Sequence, residues 1–473
     1  MGNLTLPLSR RPGVPYYLQL YRHIVEEIRS GGLASGEKLP SKRALAQHLS
    51  VSINTVDTAY QMLATEGYLQ AVPKSGFYVC PLPQLQTPPP LPEPEPASPP
   101  PEPACRFDCS TGSVDTSVFP FATWARLTKD IMYHEPQLLH HGDAQGDLCL
   151  RQALCRYLHQ FRGVRCLPEQ VLLGAGMEYL LMVLCSLLPE QTLYAVEEPG
   201  YRKAWQAMEN CGRAVVHLPV DQGGLSIRAL EESGAQCAYV TPSHQYPTGA
   251  VMPAGRRAEL LHWAAAQEGR FLVEDDYDSE FRYSGRPIPA LQGADYGGRV
   301  IYAGTFSRSI APSIRIAYLV LPPSLLPVYR QRFSQQSSTV SRFEQHTLWR
   351  FIQEGHWERH LNRTRNLYKK RRDRLMQSLR NTPAGPRLQV TGAEAGLHLL
   401  LRLENGLAEG EMVARARQQG VALVGLSSCY YDPSLAPPAT VLCGYARYTE
   451  AELEQVAQAL GHAWQLEGPV HPS

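Results

Sequence analysis

No stretch of this chain is apolar for long enough to cross a bilayer. The longest strongly apolar run, near Tyr179 to Leu188, falls well short of the roughly 20 residues a spanning helix needs. The opening segment, MGNLTLPLSRRPG, lacks the long apolar core of a secretory signal, so none is expected. Charge of one sign is also missing. The chain has 45 Lys+Arg against 44 Asp+Glu, a formal net charge of +1. A global field therefore cannot gather nucleic acid or an anionic membrane, and any surface for DNA has to be local. The 11 cysteines contain no CxxC pair. That speaks against a zinc site and, in so large a chain, against a disulfide framework. These absences lead us to expect a cytoplasmic protein whose cysteines are mostly small buried apolar residues.

What is present divides the chain. A length of 473 residues allows two or three domains with ample core. Between Pro81 and Pro103 there are 12 prolines in 23 residues. Proline removes backbone donors and fixes φ, so neither helix nor central strand survives there. A polyproline II tether is expected, reaching at most roughly 70 Å. The expected domains are residues 10–80, a linker at 81–103, and a large domain at 104–467. In the large part, VLLGAG, TLYAVEE, AQCAYVTP, RFLVEDD, RVIYAGTF and RIAYLVLP have strand length, with amphipathic stretches between several of them. This alternation predicts an α/β domain around a mostly parallel sheet.

In the N-terminal part, Leu20, Ile24, Val25 and Ile28 recur at helical spacing, and Gly31 and Gly32 then end the helix. Ser41 and Ser52 are N-cap candidates for two further short helices. YLQAVPKSGFYV reads as two strands around Pro73 to Gly76. The run G-E-K-L-P-S-K-R-x-L-A, then S-x-N-T-V-x-x-A-Y-x-x-L-x-x-E-G-Y-L, then a glycine-containing wing resembles the GntR-type winged helix-turn-helix over residues 16–79. The resemblance implies contacts to double-stranded operator DNA from Ser41, Lys42 and Arg43, from Ser52, Asn54 and Thr55, and from the wing at Lys74 to Gly76. Small polar residues at a helix N-terminus suit phosphate or base-edge contact. Residues 1–80 carry eight Lys/Arg and five Asp/Glu. Two positions depart from the pattern. Ile53 stands where an arginine is usual, and Asp57 where a basic residue is common; both weaken phosphate attraction.

The large part resembles the fold type I aminotransferases, and the two parts together resemble the MocR/GabR-type transcriptional regulators. The fold implied is a winged helix-turn-helix (α+β) followed by an α/β fold type I domain. That resemblance implies pyridoxal phosphate as cofactor. Its phosphate would lie at G-A-G-M-E, where the backbone N–H groups of Gly176 and Met177 would point at it, with Thr305, Ser307 and Arg315 adding donors. Its pyridine nitrogen would meet Asp275 of F-L-V-E-D-D, and its phenolic oxygen Tyr277. Tyr201 of E-P-G-Y would lie against the ring. His141 stands where relatives offer a tyrosine to the partner subunit's phosphate, and Tyr246 where the enzymes have asparagine. Arg202 and Lys203 are candidates for holding a carboxylate-bearing or otherwise anionic, amino-acid-like effector. Leu442 occupies the position of the usual carboxylate-clamp arginine, and Arg447 nearby is expected at a helix start on the surface.

One substitution changes the chemistry. In G-T-F-S-R-S-I-A-P-S-I-R the position of the Schiff-base lysine is Arg308. A guanidinium stays protonated, with a pKa above about 12, so it neither attacks an aldehyde nor shuttles the proton of transamination. Three readings stay open: noncovalent cofactor, another small anion, or a pocket lost in favour of dimerisation. The expectation is a DNA-binding regulator rather than an enzyme, a homodimer with head-to-tail arrangement and no membrane association. An aminotransferase with an attached regulatory module and a ligand-free scaffold are the alternatives.

Overall fold

A computed structural model describes residues 14–81, 105–283, 285 and 288–465. Most of the proline-rich tether lies outside the described residues. The chain divides into two compact units, Met1–Glu102 and Pro103–Ser473.

The first unit has three helices and a hairpin: α1 (Tyr16–Ser30), α2 (Lys42–His48), α3 (Ile53–Thr65), β1 (Leu69–Val72) and β2 (Gly76–Val79). Leu20, Ile24, Val25 and Ile28 of α1 are buried, as their spacing requires. Gly31 closes α1 in the left-handed region, at φ 82°. Ser41 accepts from the Ala44 N–H at 3.2 Å, and Ser52 from the Thr55 N–H at 3.1 Å. Both serines thus satisfy helix-end donors that would otherwise be unpaired. Tyr60 is fully buried in the core, and its hydroxyl donates to the Pro40 carbonyl at 3.0 Å. The hairpin pairs Leu69 with Val79 and Val72 with Gly76.

The second unit continues with β3 (Phe107–Asp108), α4 (Phe121–His134), α5 (Leu148–Arg162), β4 (Val171–Gly174), α6 (Met177–Leu187), β5 (Tyr194–Glu198) and α7 (Arg202–Asn210). There follow β6 (Val215–Asp221), β7 (Gly224–Leu225), α8 (Ile227–Glu232), β8 (Cys237–Val240), α9 (Ala254–Ala265), β9 (Phe271–Asp276), β10 (Val300–Thr305) and β11 (Ala317–Val320). Then come α10 (Leu326–Phe333), α11 (Arg342–Gln353), α12 (His356–Arg380), β12 (Leu388–Thr391), β13 (His398–Leu403), α13 (Glu409–Gln418), β14 (Val421–Ala422), β15 (Val424–Gly425), β16 (Thr440–Gly444) and α14 (Glu450–Ala463).

Eight strands form one sheet in the order β4-β11-β10-β9-β8-β5-β6-β7. The inner pairs β10/β9, β9/β8, β8/β5 and β5/β6 are parallel, and antiparallel pairs lie towards both edges. The six strand-like segments picked out by their apolar runs are six of these eight strands. Their near-continuous burial is what helices on both faces of a parallel sheet impose. A smaller antiparallel sheet, β12-β13-β16-β15, packs with α12, α13 and α14 around its own apolar cluster. Among the described residues no helix is long and apolar enough to cross a membrane, and all 11 cysteines are free, six of them buried.

Candidate functional site

The C-terminal ends of β9 and β10, the start of α6 and the start of α7 surround a cavity of about 180 Å³. Openings at the carboxyl ends of parallel strands are where open α/β sheets bind ligands. The lining includes Met177, Tyr201, Lys203, Asp275, Tyr277, Thr305, Ser307, Arg308 and Arg315, nine residues that the sequence had nominated. Glu178, Thr241, Tyr246, Gly112 and Pro312 complete it.

Strand alternation selects the carboxylate. Three acidic residues end β9, and all three are buried. Successive side chains point to opposite faces. Glu274 accepts the N–H groups of Leu291 and Gln292 at 2.7 and 2.9 Å. Asp276 accepts Arg162 Nε at 2.7 Å. Asp275, between them, lines the cavity. Its Oδ2 accepts the Tyr239 hydroxyl, while its Oδ1 is buried with no partner among the described residues. Burial pushes the Asp275 carboxyl up to about 7; the Tyr239 hydroxyl pulls the other way, and the neighbouring Asp276 and Asp278 add to the rise. An unpartnered buried acceptor is costly unless a donor meets it.

Arg308 follows β10. Its guanidinium donates to the Thr111 carbonyl, and among the described residues no carboxylate pairs with it. Thr305 Oγ1 lies 3.0 Å from Ser307 Oγ and accepts the Ser307 N–H at 3.2 Å, which leaves the serine hydroxyl at the cavity wall. Arg315 sits in the left-handed region, at φ 53°, and its Nη2 donates to the Ala175 carbonyl at 3.3 Å and to Glu178 Oε2 at 2.9 Å. Tyr277 Oη lies 2.9 Å from His244 Nδ1, and His244 in turn faces Asp278 at 3.0 Å. The rings of Tyr201 and Tyr277 each stand edge-on to Tyr246, at 5.8 and 5.9 Å.

Several expectations need correction. The Gly176 N–H does not point into the cavity; it donates to the Gly174 carbonyl at 2.8 Å. Gly176 matters for what it lacks. Its φ is +96°, and a Cβ there would stand 2.2 Å from Arg315 Nη2. Arg202, the first residue of α7, is exposed and does not line the cavity, whereas Lys203 does. One residue along a helix turns a side chain by about 100°, enough to separate the two. His141, expected to face the phosphate of a partner subunit rather than this chain's own cavity, is exposed, 3.3 Å from Ser337 Oγ. Arg447 precedes the Thr449 cap of α14 and lies 3.9 Å from Asp108. Leu442 is fully buried in β16, opposite Leu400 and Val424, with no charge at that position. Tyr239, Glu178 and Arg162 were missed. Tyr239 and Glu178 stood inside quoted motifs, but only the fold brings each to its partner.

In the first unit, Ser41, Arg43, Ser52, Asn54 and Lys74 are exposed, and Thr55 and Gly76 are half-buried. Lys42 is engaged. It forms an ion pair with Asp57 and lies 5.1 Å over the Phe77 ring. Ile53, at the start of α3, is 51% exposed, an apolar side chain at the end of the recognition helix.

Comparison with known proteins agrees with this division. Residues 16–79 match the model of bacterial regulatory proteins of the gntR family, and residues 110–460 match aminotransferase class I and II. The chain is 38% identical to the uncharacterized HTH-type transcriptional regulator YdeL of Bacillus subtilis, over 98% of this chain and 100% of that protein. It is 35% identical to the probable rhizopine catabolism regulatory protein MocR of Rhizobium meliloti, over 93% and 92%. It is 31% identical to the pyridoxine biosynthesis transcriptional regulator PdxR of Corynebacterium glutamicum, over 98% and 99%. Among solved structures, kynurenine aminotransferase of Pyrococcus horikoshii superposes with a TM-score of 0.66 at 26% identity, covering 76% of this chain and 90% of that one.

Proposed function

Because the chain belongs to the MocR-type transcriptional regulators, a GntR helix-turn-helix module joined to an aminotransferase class I and II domain, we propose that its cavity senses pyridoxal phosphate or another small anionic ligand without a covalent bond and without turnover. The observation that carries this reading is Arg308. Its guanidinium lines the cavity at the position that the resemblance matches to the Schiff-base lysine, among polar lining residues.

The residues fit the cofactor. Asp275 Oδ1 is an unpartnered acceptor suited to a protonated pyridine nitrogen. Tyr277 would meet the phenolic oxygen, and Tyr201 and Tyr246 would flank the ring. Arg315, Ser307, Thr305 and Met177, at the N-terminus of α6, would hold the phosphate, and the absent Cβ of Gly176 leaves the guanidinium its place. Bound to a lysine, pyridoxal phosphate serves as an electron sink. Arg308 supplies a fixed positive charge and forked donors instead, and among the described lining residues Lys203 is the one amine, at the exposed mouth.

The winged helix would bind double-stranded operator DNA through α2, α3 and the hairpin. A homodimer, head-to-tail as in relatives, would set paired half-sites. Exposed Phe121, Met132 and Tyr133 along α4 offer apolar surface for it.

The test is an absorbance titration of the full chain with pyridoxal phosphate, followed by borohydride reduction and mass analysis. Saturable binding with no reducible adduct is expected. An adduct trapped on Lys203, or turnover of an amino acid, would replace this reading with the enzymatic one. Absence of binding would leave another anion or a scaffold.

A further inference from the structure

The cavity already contains an anion of its own. Glu178 lies in the first turn of α6, and its two carboxylate oxygens divide between the two cations of the mouth. Oε2 is 2.9 Å from Arg315 Nη2 and Oε1 is 3.7 Å from Lys203 Nζ. A helix N-terminus, a guanidinium and an ammonium are the features that would seat a ligand phosphate. Glu178 occupies that seat.

The two partners differ in setting. The same Nη2 of Arg315 that meets Glu178 also donates to the Ala175 carbonyl at 3.3 Å, and the guanidinium packs over the bare α-carbon of Gly176. Glu178 meets both cations through its carboxylate, and its side chain is 35% exposed against 51% for Arg315. A half-exposed pair of this kind is weakly held, so an anion of higher charge displaces it.

Resting on the reading of this cavity as a phosphate-ligand site, we propose that Glu178 is an internal counter-ion that competes with ligand phosphate for Arg315 and Lys203. A phosphate ester enters only by displacing that carboxylate. Such exchange discriminates among anions. Inorganic phosphate gains the two cations and loses the pairs Glu178 made, for little net benefit. A ligand that also reaches Asp275 and Tyr277 gains contacts that the exchange does not cancel.

The test uses the full chain, as wild type, Glu178→Gln and Glu178→Asp, titrated calorimetrically with pyridoxal phosphate, with pyridoxal lacking the phosphate, and with inorganic phosphate. The aspartate side chain is one methylene shorter and withdraws from Arg315, so both variants move in one direction. Glu178→Gln is expected to bind pyridoxal phosphate up to about fivefold more tightly and inorganic phosphate by a similar factor, with pyridoxal changed by less than about twofold. Saturable pyridoxal phosphate binding that is unchanged or weaker in both variants would overturn the counter-ion and leave the cavity reading intact. An equal gain for pyridoxal would also overturn it, because the effect would then be space rather than charge. No saturable uptake by any of the three proteins, each with native tryptophan fluorescence, would remove the cavity reading and the counter-ion together.

Discussion

Replacing Asp275 with asparagine removes a charge that the fold buries without a full set of partners. Burial raises this carboxyl from its ordinary 3.8 to about 7, so near neutral pH the cavity wall holds a group that resists ionising. A folded-state value above the unfolded one means that the group's stabilising contribution is complete below about 3.8 and is lost as pH rises through about 7. Integrating between about pH 5 and about pH 8, the wild type loses about 2–3 kcal/mol from this one residue. Asp275→Asn keeps an acceptor for the Tyr239 hydroxyl and has no such loss. Glu274 and Glu280, each also pushed up to about 7 by burial, act in the same direction in both proteins and cancel in the comparison, whereas Glu197, raised mainly by burial and in small part by the Asp275 charge, is eased slightly in the variant and adds to the difference. Urea unfolding followed by tryptophan fluorescence reads the large domain alone, because all 6 tryptophans lie between Trp124 and Trp464. The stability difference, variant minus wild type, should widen by about 2–3 kcal/mol from the lower to the higher pH. Parallel pH profiles would show that Asp275 is ionised at no cost, and the argument from its unpartnered oxygen would fail.

Arg308→Lys should restore a borohydride-reducible bond to pyridoxal phosphate at position 308, seen by mass analysis of the modified peptide. A folded variant that binds the cofactor and yields no adduct would show that residue 308 does not meet the aldehyde. Asp57→Asn should release Lys42 for backbone phosphates, tightening duplex DNA binding several-fold and steepening the salt dependence of log K by roughly 1. An unchanged slope in filter-binding titrations across salt concentrations would mean that Lys42 stays on Phe77 and makes no phosphate contact.

The local devices were legible in the sequence because they depend on neighbours a few residues away. Ser41 and Ser52 cap their helices, Gly31 ends α1 and the apolar runs form strands, since each follows from spacing, cap chemistry or backbone freedom within one turn or one strand. That residue 308 is an arginine is written in the sequence, its match to a Schiff-base lysine is what the resemblance implies, and the chemistry of a guanidinium needs no coordinates. The six chosen strands and nine of the cavity residues followed from motifs whose members stand at strand ends.

Other features depend on groups far apart in the chain, and there only the tertiary structure decided. Tyr239 reaches Asp275 because β8 and β9 lie side by side, and Arg308 meets Thr111 across 197 positions. The Gly176 motif was read as a donor of N–H groups, yet its role is to make room for Arg315, a residue 139 positions away. Arg202 and Lys203 are adjacent, chemically alike and both exposed; the rotation of α7 alone brings one of them to the cavity mouth. Glu178 stood in plain view as an acidic residue in the first turn of a helix. That two cations from β11's approach and from α7 would close on its carboxylate, and make it the occupant of an anion seat, is a matter of long-range packing that no local pattern encodes.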